Sequence, residues 1–165
     1  MARAHSLVMD TLIWATAVAF AVIGGIYFTF SSFVMDSLAE LPSHQGIGAM
    51  QSINRVILSS GFMVLFFATT IAALGLGVWG TWMWGSPGST YLVAGALLYL
   101  LGMFAVTALG NVPLNDALDA VDPTTPAAAE VWATYLRDWT RLNTVRTVAS
   151  IAASGLLILS TWAGR

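Results

Sequence analysis

Residues 56–115 read VILSSGFMVLFFATTIAALGLGVWGTWMWGSPGSTYLVAGALLYLLGMFAVTALGNVPLN, sixty positions without a charge between Arg55 and Asp116. One membrane crossing takes roughly 20 apolar residues, so the run is long enough for two if something turns the chain near its middle. The middle reads GTWMWGSPGS, residues 80–89. Gly80, Gly85, Pro87 and Gly88 break a helix there, while Trp79, Trp82 and Trp84 suit the headgroup level of a bilayer. The stretch therefore predicts two membrane helices joined by a tight aromatic turn.

The same reading extends in both directions. Residues 11–35 are uncharged, too long for the core of a signal peptide, and Asp10 interrupts its start despite Arg3 upstream; the segment reads as a retained helix. A fourth apolar stretch lies near the C-terminus. The spans fall at about 12–35, 56–79, 90–109 and 147–162, within one domain over residues 1–165. In DPTTPAAAEVW, Thr125 is placed to cap a helix, Pro126 to open it and Glu130 to sit in its early turns, with no breaker before Gly155. The expectation is an all-α, four-transmembrane-helix bundle whose fourth helix extends beyond the membrane.

Composition agrees. Of 165 residues, 58% are hydrophobic and 8% charged, with a mean hydropathy of +0.79; a water-soluble domain carries about a quarter charged residues. The expected surroundings are a lipid bilayer, that of a bacterial plasma membrane. With no lysine, six scattered arginines and a net charge of −2, nothing predicts a nucleic-acid surface. The absence of cysteine removes thiol–disulfide, iron–sulfur and thiolate-metal chemistry. His5 and His44 leave little for a transition metal, and no metal site is expected. A homo-oligomer stays open.

Chain parity then sorts the polar residues. The end of the first span, the start of the second, the end of the third and the start of the fourth share one membrane face. Eleven of the fourteen charges fall in those connections, whereas Arg3, Asp10 and Arg165 alone fall on the other face. That placement also puts His5 and His44 on opposite faces, which excludes a bis-histidine haem. Discounting Arg55 and Arg146 leaves two arginines on each face, so the positive-inside rule is silent on orientation.

At the polar end, Trp132, Leu136, Trp139, Asn143, Arg146 and Ser150 recur in steps of four and three along one helix face. Gln51, Asn54 and Arg55 enter the second helix and Asn111 and Asn115 leave the third, at the same depth. Asn111, Asn115, Asn54, Gln51, Asn143 and Arg146 are thus candidates to line a polar pocket closed by Trp139 and Tyr135. Other readings compete: Asn111 capping a helix at Val112–Pro113, Asn54 and Asn143 as interhelical hydrogen bonds, Arg146 in an ion pair with Asp36 or Asp116, and His44 as a solvated loop residue.

GIYFTFSSFVM (25–35), AMQSIN (49–54), GNVPLNDAL (110–118) and WTRLNTVR (139–146) resemble the small four-helix membrane proteins grouped with the anthrone oxygenases. The matched positions are Asn54, Asn111, Pro113, Asn115, Trp139, Asn143 and Arg146. The resemblance implies oxidation of an anthrone to an anthraquinone by molecular oxygen, without metal or flavin. Such an enzyme needs a base, donors for a developing anion and an apolar cavity for a planar substrate. Arg146, Asn143, Asn115 and His44 are the catalytic candidates; Asn54, Arg55, Gln51, Asn111, Trp139 and Tyr135 are the ligand-binding ones. Arg146, Arg55 and the amides would hold the oxyanion, Trp139, Tyr135, Phe30 and Phe33 would sandwich the rings, and His44 or Asp116 would act as base. The alternatives are a non-catalytic protein binding a lipid, quinone or other small hydrophobic ligand, and a structural subunit.

Overall fold

The computed structural model describes residues 2–163, and the side chains of residues 7–163; His5, Arg3 and Arg165 lie outside the described side chains. The described residues are helical apart from short turns, with no strand among them. α1 (Ala2–Thr29) continues through a π-helical turn, Phe30–Val34, into α2 (Met35–Ala39). α3 (Ser43–Leu58) is a separate amphipathic helix, followed by α4 (Gly61–Trp82). α5 (Ser89–Tyr99) runs through two π-helical stretches, Leu100–Ala105 and Thr107–Asn111, into α6 (Val112–Asp119); α7 (Ala128–Ala163) closes the chain.

Four of these rods are long and apolar enough to cross a membrane: Leu7–Ala39, Gly61–Trp82, Ser89–Asp119 and Ala128–Ala163. They form a ring in which α1 packs on α7 and α4, and α5 packs on the same two helices. Every neighbour in the ring is antiparallel, the simplest up-down-up-down arrangement. With 36 residues and ~1.5 Å per residue, α7 is about 54 Å long, well beyond a hydrocarbon core of ~30 Å. Its first half stands outside the membrane, as expected.

Two boundaries differ from the sequence reading. The second span does not begin near residue 56. Residues 56–58 finish α3, and the chain breaks at Ser59 and Ser60. Ser60 is extended (φ −91°, ψ 164°), and its hydroxyl accepts the Phe62 N–H at 3.3 Å. Serine hydroxyls compete with the helical ladder in this way, which is why an apolar run alone misplaces such a break. The fourth helix starts at Ala128 and not at Pro126. Thr125 points its hydroxyl back to the Asp122 carbonyl at 2.9 Å, so it closes a turn instead of capping a helix. Asp122 fixes the same turn by accepting the Thr124 N–H (2.9 Å) and hydroxyl (2.8 Å). These two bonds hold its carboxyl below the usual carboxylate range. The restraint is therefore present above the ordinary aspartate pKa and lost as pH falls through the lowered one.

Packing divides into two cores. Inside the ring, Phe20 stacks on Tyr99 with centroids 3.6 Å apart, and the Tyr99 hydroxyl donates to Thr69 Oγ1 at 2.8 Å. At the polar end, Met35, Ile47, Met50 and Leu118 close around a column of Trp132, Tyr135 and Trp139, successive rings 5.7 Å apart. At the opposite end the α4–α5 turn carries Trp82 and Trp84, both exposed, as headgroup anchors would be. The turn depends on Gly88, whose φ is +85° and where a Cβ would collide with the Ser160 carbonyl oxygen of α7.

Gly88→Ala is expected to lower the unfolding midpoint in detergent, at a cost of at least about 1 kcal/mol from the left-handed backbone alone. Gly25→Ala, in a helix with open space where its Cβ would sit, is expected to cause no loss. Thermal unfolding of the two variants side by side checks this.

Candidate functional site

A cavity of about 300 Å³ lies between the two cores, at the lower end of the range for small-molecule sites. Its walls come from α1, the three π-helical stretches or their flanks, α3, α4, α6 and α7, and they are almost wholly apolar. Phe30, Phe62, Phe66, Phe67, Phe104 and Trp139 supply the rings. The polar exceptions are Tyr27, Asn54, Thr107, Asn115 and Arg146.

Arg146 is 5% exposed and held from several sides. One terminal nitrogen donates to Asn143 Oδ1 at 2.7 Å and the other to Thr107 Oγ1 at 3.3 Å. The guanidinium carbon lies 4.1 Å from the centroid of the Tyr27 ring and 5.3 Å from that of Trp139, within reach of cation–π attraction. No carboxylate pairs with it: the ion pairs among the described residues are Arg55–Asp119 and Arg137–Asp138. An Arg146 pair with Asp36 or Asp116 is therefore absent. Guanidinium has five N–H donors; Nε has no protein acceptor, and the cation stands on the cavity wall with only neutral groups around it.

Asn143, fully buried, is the brace beneath this cation. Its amide donates to the Tyr27 carbonyl at 2.7 Å and to Ser31 Oγ at 2.6 Å, so α7 is tied to the end of α1 while its oxygen faces Arg146. Asn111, also fully buried, donates to the Trp139 carbonyl at 3.2 Å; its backbone is helical and it caps nothing. Neither amide lines the cavity. Asn54 and Asn115 do, and the Tyr135 hydroxyl joins them from behind, donating to Asn115 Oδ1 at 2.8 Å and accepting from Asn54 Nδ2 at 3.4 Å.

Several expected site residues fall elsewhere. Arg55 does not reach the cavity: it is exposed and paired with Asp119 at 3.0 Å. Gln51 clamps α3 to the end of α6, donating to the Leu118 and Val121 carbonyls at 2.9 and 3.0 Å. Tyr135 stands outside the cavity. Phe33 is 57% exposed and cannot sandwich a ring with the others. His44, in the first turn of α3 and not in a loop, and Asp116 are both exposed and neither lines the cavity. For Arg55 and His44 the cause is shared: Ser59 and Ser60 make α3 a helix of its own, so its outer face meets water.

Tyr27, Thr107 and the phenylalanines of α4 and Phe104 were not anticipated. Thr107 lies in a π-helical stretch, and such turns change which residues face inward; no sequence periodicity announces them. The described residues contain no group of three or more His, Cys, Asp or Glu able to hold a metal ion.

The fold and the site together define a four-helix integral membrane protein with a ligand-sized cavity at its polar end. The anthrone oxygenase family model matches residues 55–156, more than half of the 165 residues, so the chain belongs to the anthrone oxygenase family. The match takes in Thr107, Asn111, Asn115, Trp139, Asn143 and Arg146, and begins after the α1 wall that carries Tyr27. No curated protein and no solved structure matches the chain.

Asn143→Ala is expected to destabilise the fold by about 1–3 kcal/mol, the cost of leaving buried partners unmet. Arg55→Ala, which removes a pair exposed on both sides, should cost under about 1 kcal/mol. Denaturant titration of the two variants in the same detergent measures the contrast.

Proposed function

We propose that the protein is a membrane-embedded, cofactor-independent oxygenase-like enzyme acting on a hydrophobic aromatic of the anthrone or quinol kind. The observation that carries this reading is Arg146, a buried cation on the wall of an apolar, ring-lined cavity with no carboxylate to neutralise it. A planar substrate whose oxygen becomes negative during reaction supplies that counter-charge at the moment it is needed. Asn143 and Thr107 orient the guanidinium, Phe30 and Trp139 flank the rings, and Asn54 and Asn115 offer polar contacts at the far edge.

For an anthrone the balance is simple: the substrate takes up one oxygen molecule and yields the quinone and one water. The ring methylene gives a proton to water and its electron pair spreads onto the carbonyl oxygen, held by Arg146. The enolate carbon gives electrons to oxygen and forms a C–O bond. After protonation, the resulting hydroperoxide loses its remaining C–H proton. That electron pair makes the new C=O as the O–O bond breaks, and water leaves. No imidazole or carboxylate lines the cavity, so in this reading the acidity comes from the cation, because holding the enolate oxygen lowers the cost of ionising the carbon acid.

The same lack of a base favours a second reading, a non-catalytic binder of small hydrophobic ligands. Oxygen uptake by the protein in lipid, with anthrone added, separates the two. In the enzyme reading Arg146→Gln lowers kcat/KM by about 100-fold or more, while His44→Ala and Asp116→Ala change it less than about twofold. Anthrone that stays bound without oxygen uptake would decide for the binder.

A further inference from the structure

We propose that the cavity is loaded sideways from the bilayer, through a mouth between the α3–α4 corner and the π-helical end of the third span. Its ligands are then aromatics dissolved in the membrane that carry one ionisable oxygen. This rests on the reading of the cavity as the ligand site and adds the route and the phase from which the ligand comes.

The first observation is the chemistry of the mouth. Four lining residues are themselves exposed: Leu58, Phe67, Ala108 and Val112, all of them apolar. They belong to the end of α3, the second turn of α4, the second π-helical stretch and the start of α6, so they ring one opening. Next to them on the same rods, Val64 is 74% and Leu109 81% exposed. Phe67 lies seven residues past Ser60, about 10 Å along α4, deeper than the headgroup layer. A surface of this composition at that depth faces hydrocarbon.

The second observation is that the water side is fastened. Asn54 and Asn115 form the polar edge of the cavity, and the Tyr135 hydroxyl joins them into a bar across three helices. Gln51 ties α3 to α6 through two carbonyls, and Arg55–Asp119 adds an ion pair at the same seam. One turn further along, at the C-terminal corner of α3, the side-chain hydrogen bonds of Ser59 and Ser60 stay within the corner, to Val56, Ile57 and Phe62. α3 is thus bolted along the edge that faces water and unbolted along the edge that faces lipid.

The third observation is depth. Arg146 directly precedes the uncharged stretch 147–162, at the level where the membrane begins. An aromatic amphiphile rests with its rings in hydrocarbon and its oxygen near the headgroups. It therefore arrives at the mouth with the oxygen already at the height of the guanidinium, and its rings slide between Phe30, Phe62 and Trp139 without crossing water.

The chain has no cysteine, which makes a single-thiol test clean. Ala108→Cys protein in phosphatidylcholine vesicles is labelled with pyrene maleimide, and its occupancy by anthrone is followed over time by native mass spectrometry. Val18→Cys, exposed on α1 and away from both the lining and the mouth, carries the same label as control. The label at position 108 is expected to slow loading about tenfold or more, the control to leave it unchanged. At fixed total anthrone, loading should follow the concentration in lipid as vesicle amount is varied. Equal rates in both labelled proteins, or a rate that follows aqueous anthrone, overturn the route; an unlabelled protein that never takes up anthrone overturns the ligand class. Loading through the mouth without oxygen uptake removes the oxygenase and leaves the route standing. Undiminished uptake by the blocked protein does the reverse.

Discussion

A guanidinium that stays charged at any physiological pH has to be given partners before a helix can carry it to the edge of a membrane. Arg146 is given them without a single carboxylate. Asn143 and Thr107 accept hydrogen bonds from it, and the faces of Tyr27 and Trp139 stand in for an anion. Those four residues come from three of the four rods, so the positions of α1, the third span and α7 at the polar end are set together by one side chain. A carboxylate in the same place would have satisfied the cation and left nothing for a ligand to do. Neutral acceptors hold it in position and leave its charge uncompensated.

The amide chemistry divides into bracing and lining on the same principle. Asn143 and Asn111 are fully buried and each donates to a backbone carbonyl across a helix interface, Asn143 to the Ser31 hydroxyl as well, which keeps α7 against the rods on either side. Asn54 and Asn115 stand where the packing opens. Four asparagines that look equivalent by depth therefore do two different things, and what separates them is whether a neighbouring backbone comes close enough to take the amide.

The bundle itself was legible from the amino-acid order, because length and hydropathy fix spans and the breakers at Gly85 and Gly88 fix the turn. The buried face of α7 was legible for a similar reason: Trp132, Trp139, Asn143, Arg146 and Ser150 are all buried at the spacing the sequence shows. The site was legible only in part. Arg146, Asn54, Asn115 and Trp139 do meet at the cavity, but Arg55, Gln51, His44 and Phe33 do not. Gln51 is held by the Leu118 and Val121 carbonyls, and two short-range events shape the rest. The Ser59–Ser60 break turned the supposed entry to the second span into a helix lying on the polar end. The π-helical stretches brought Thr107 and Phe104 to the cavity at a register that no 3.6-residue count reproduces.

Those wide turns also act as a ruler. A π-helical stretch holds an additional residue within a continuous helix, and the third span contains two such stretches, Leu100–Ala105 and Thr107–Asn111, just ahead of the segment that faces α7. One residue lost from such a stretch lets its flanks close up as ordinary helix with their faces kept. One residue lost from a regular turn of α5 would leave the span long enough for the bilayer and as apolar as before, yet turn everything after it by about 100°, swinging Asn111 and Asn115 off α7 and away from Trp139 and Tyr135. Hydropathy tolerates such deletions and the site does not, so in this protein the length of one helix is written in the spacing of its function and not in the thickness of its membrane.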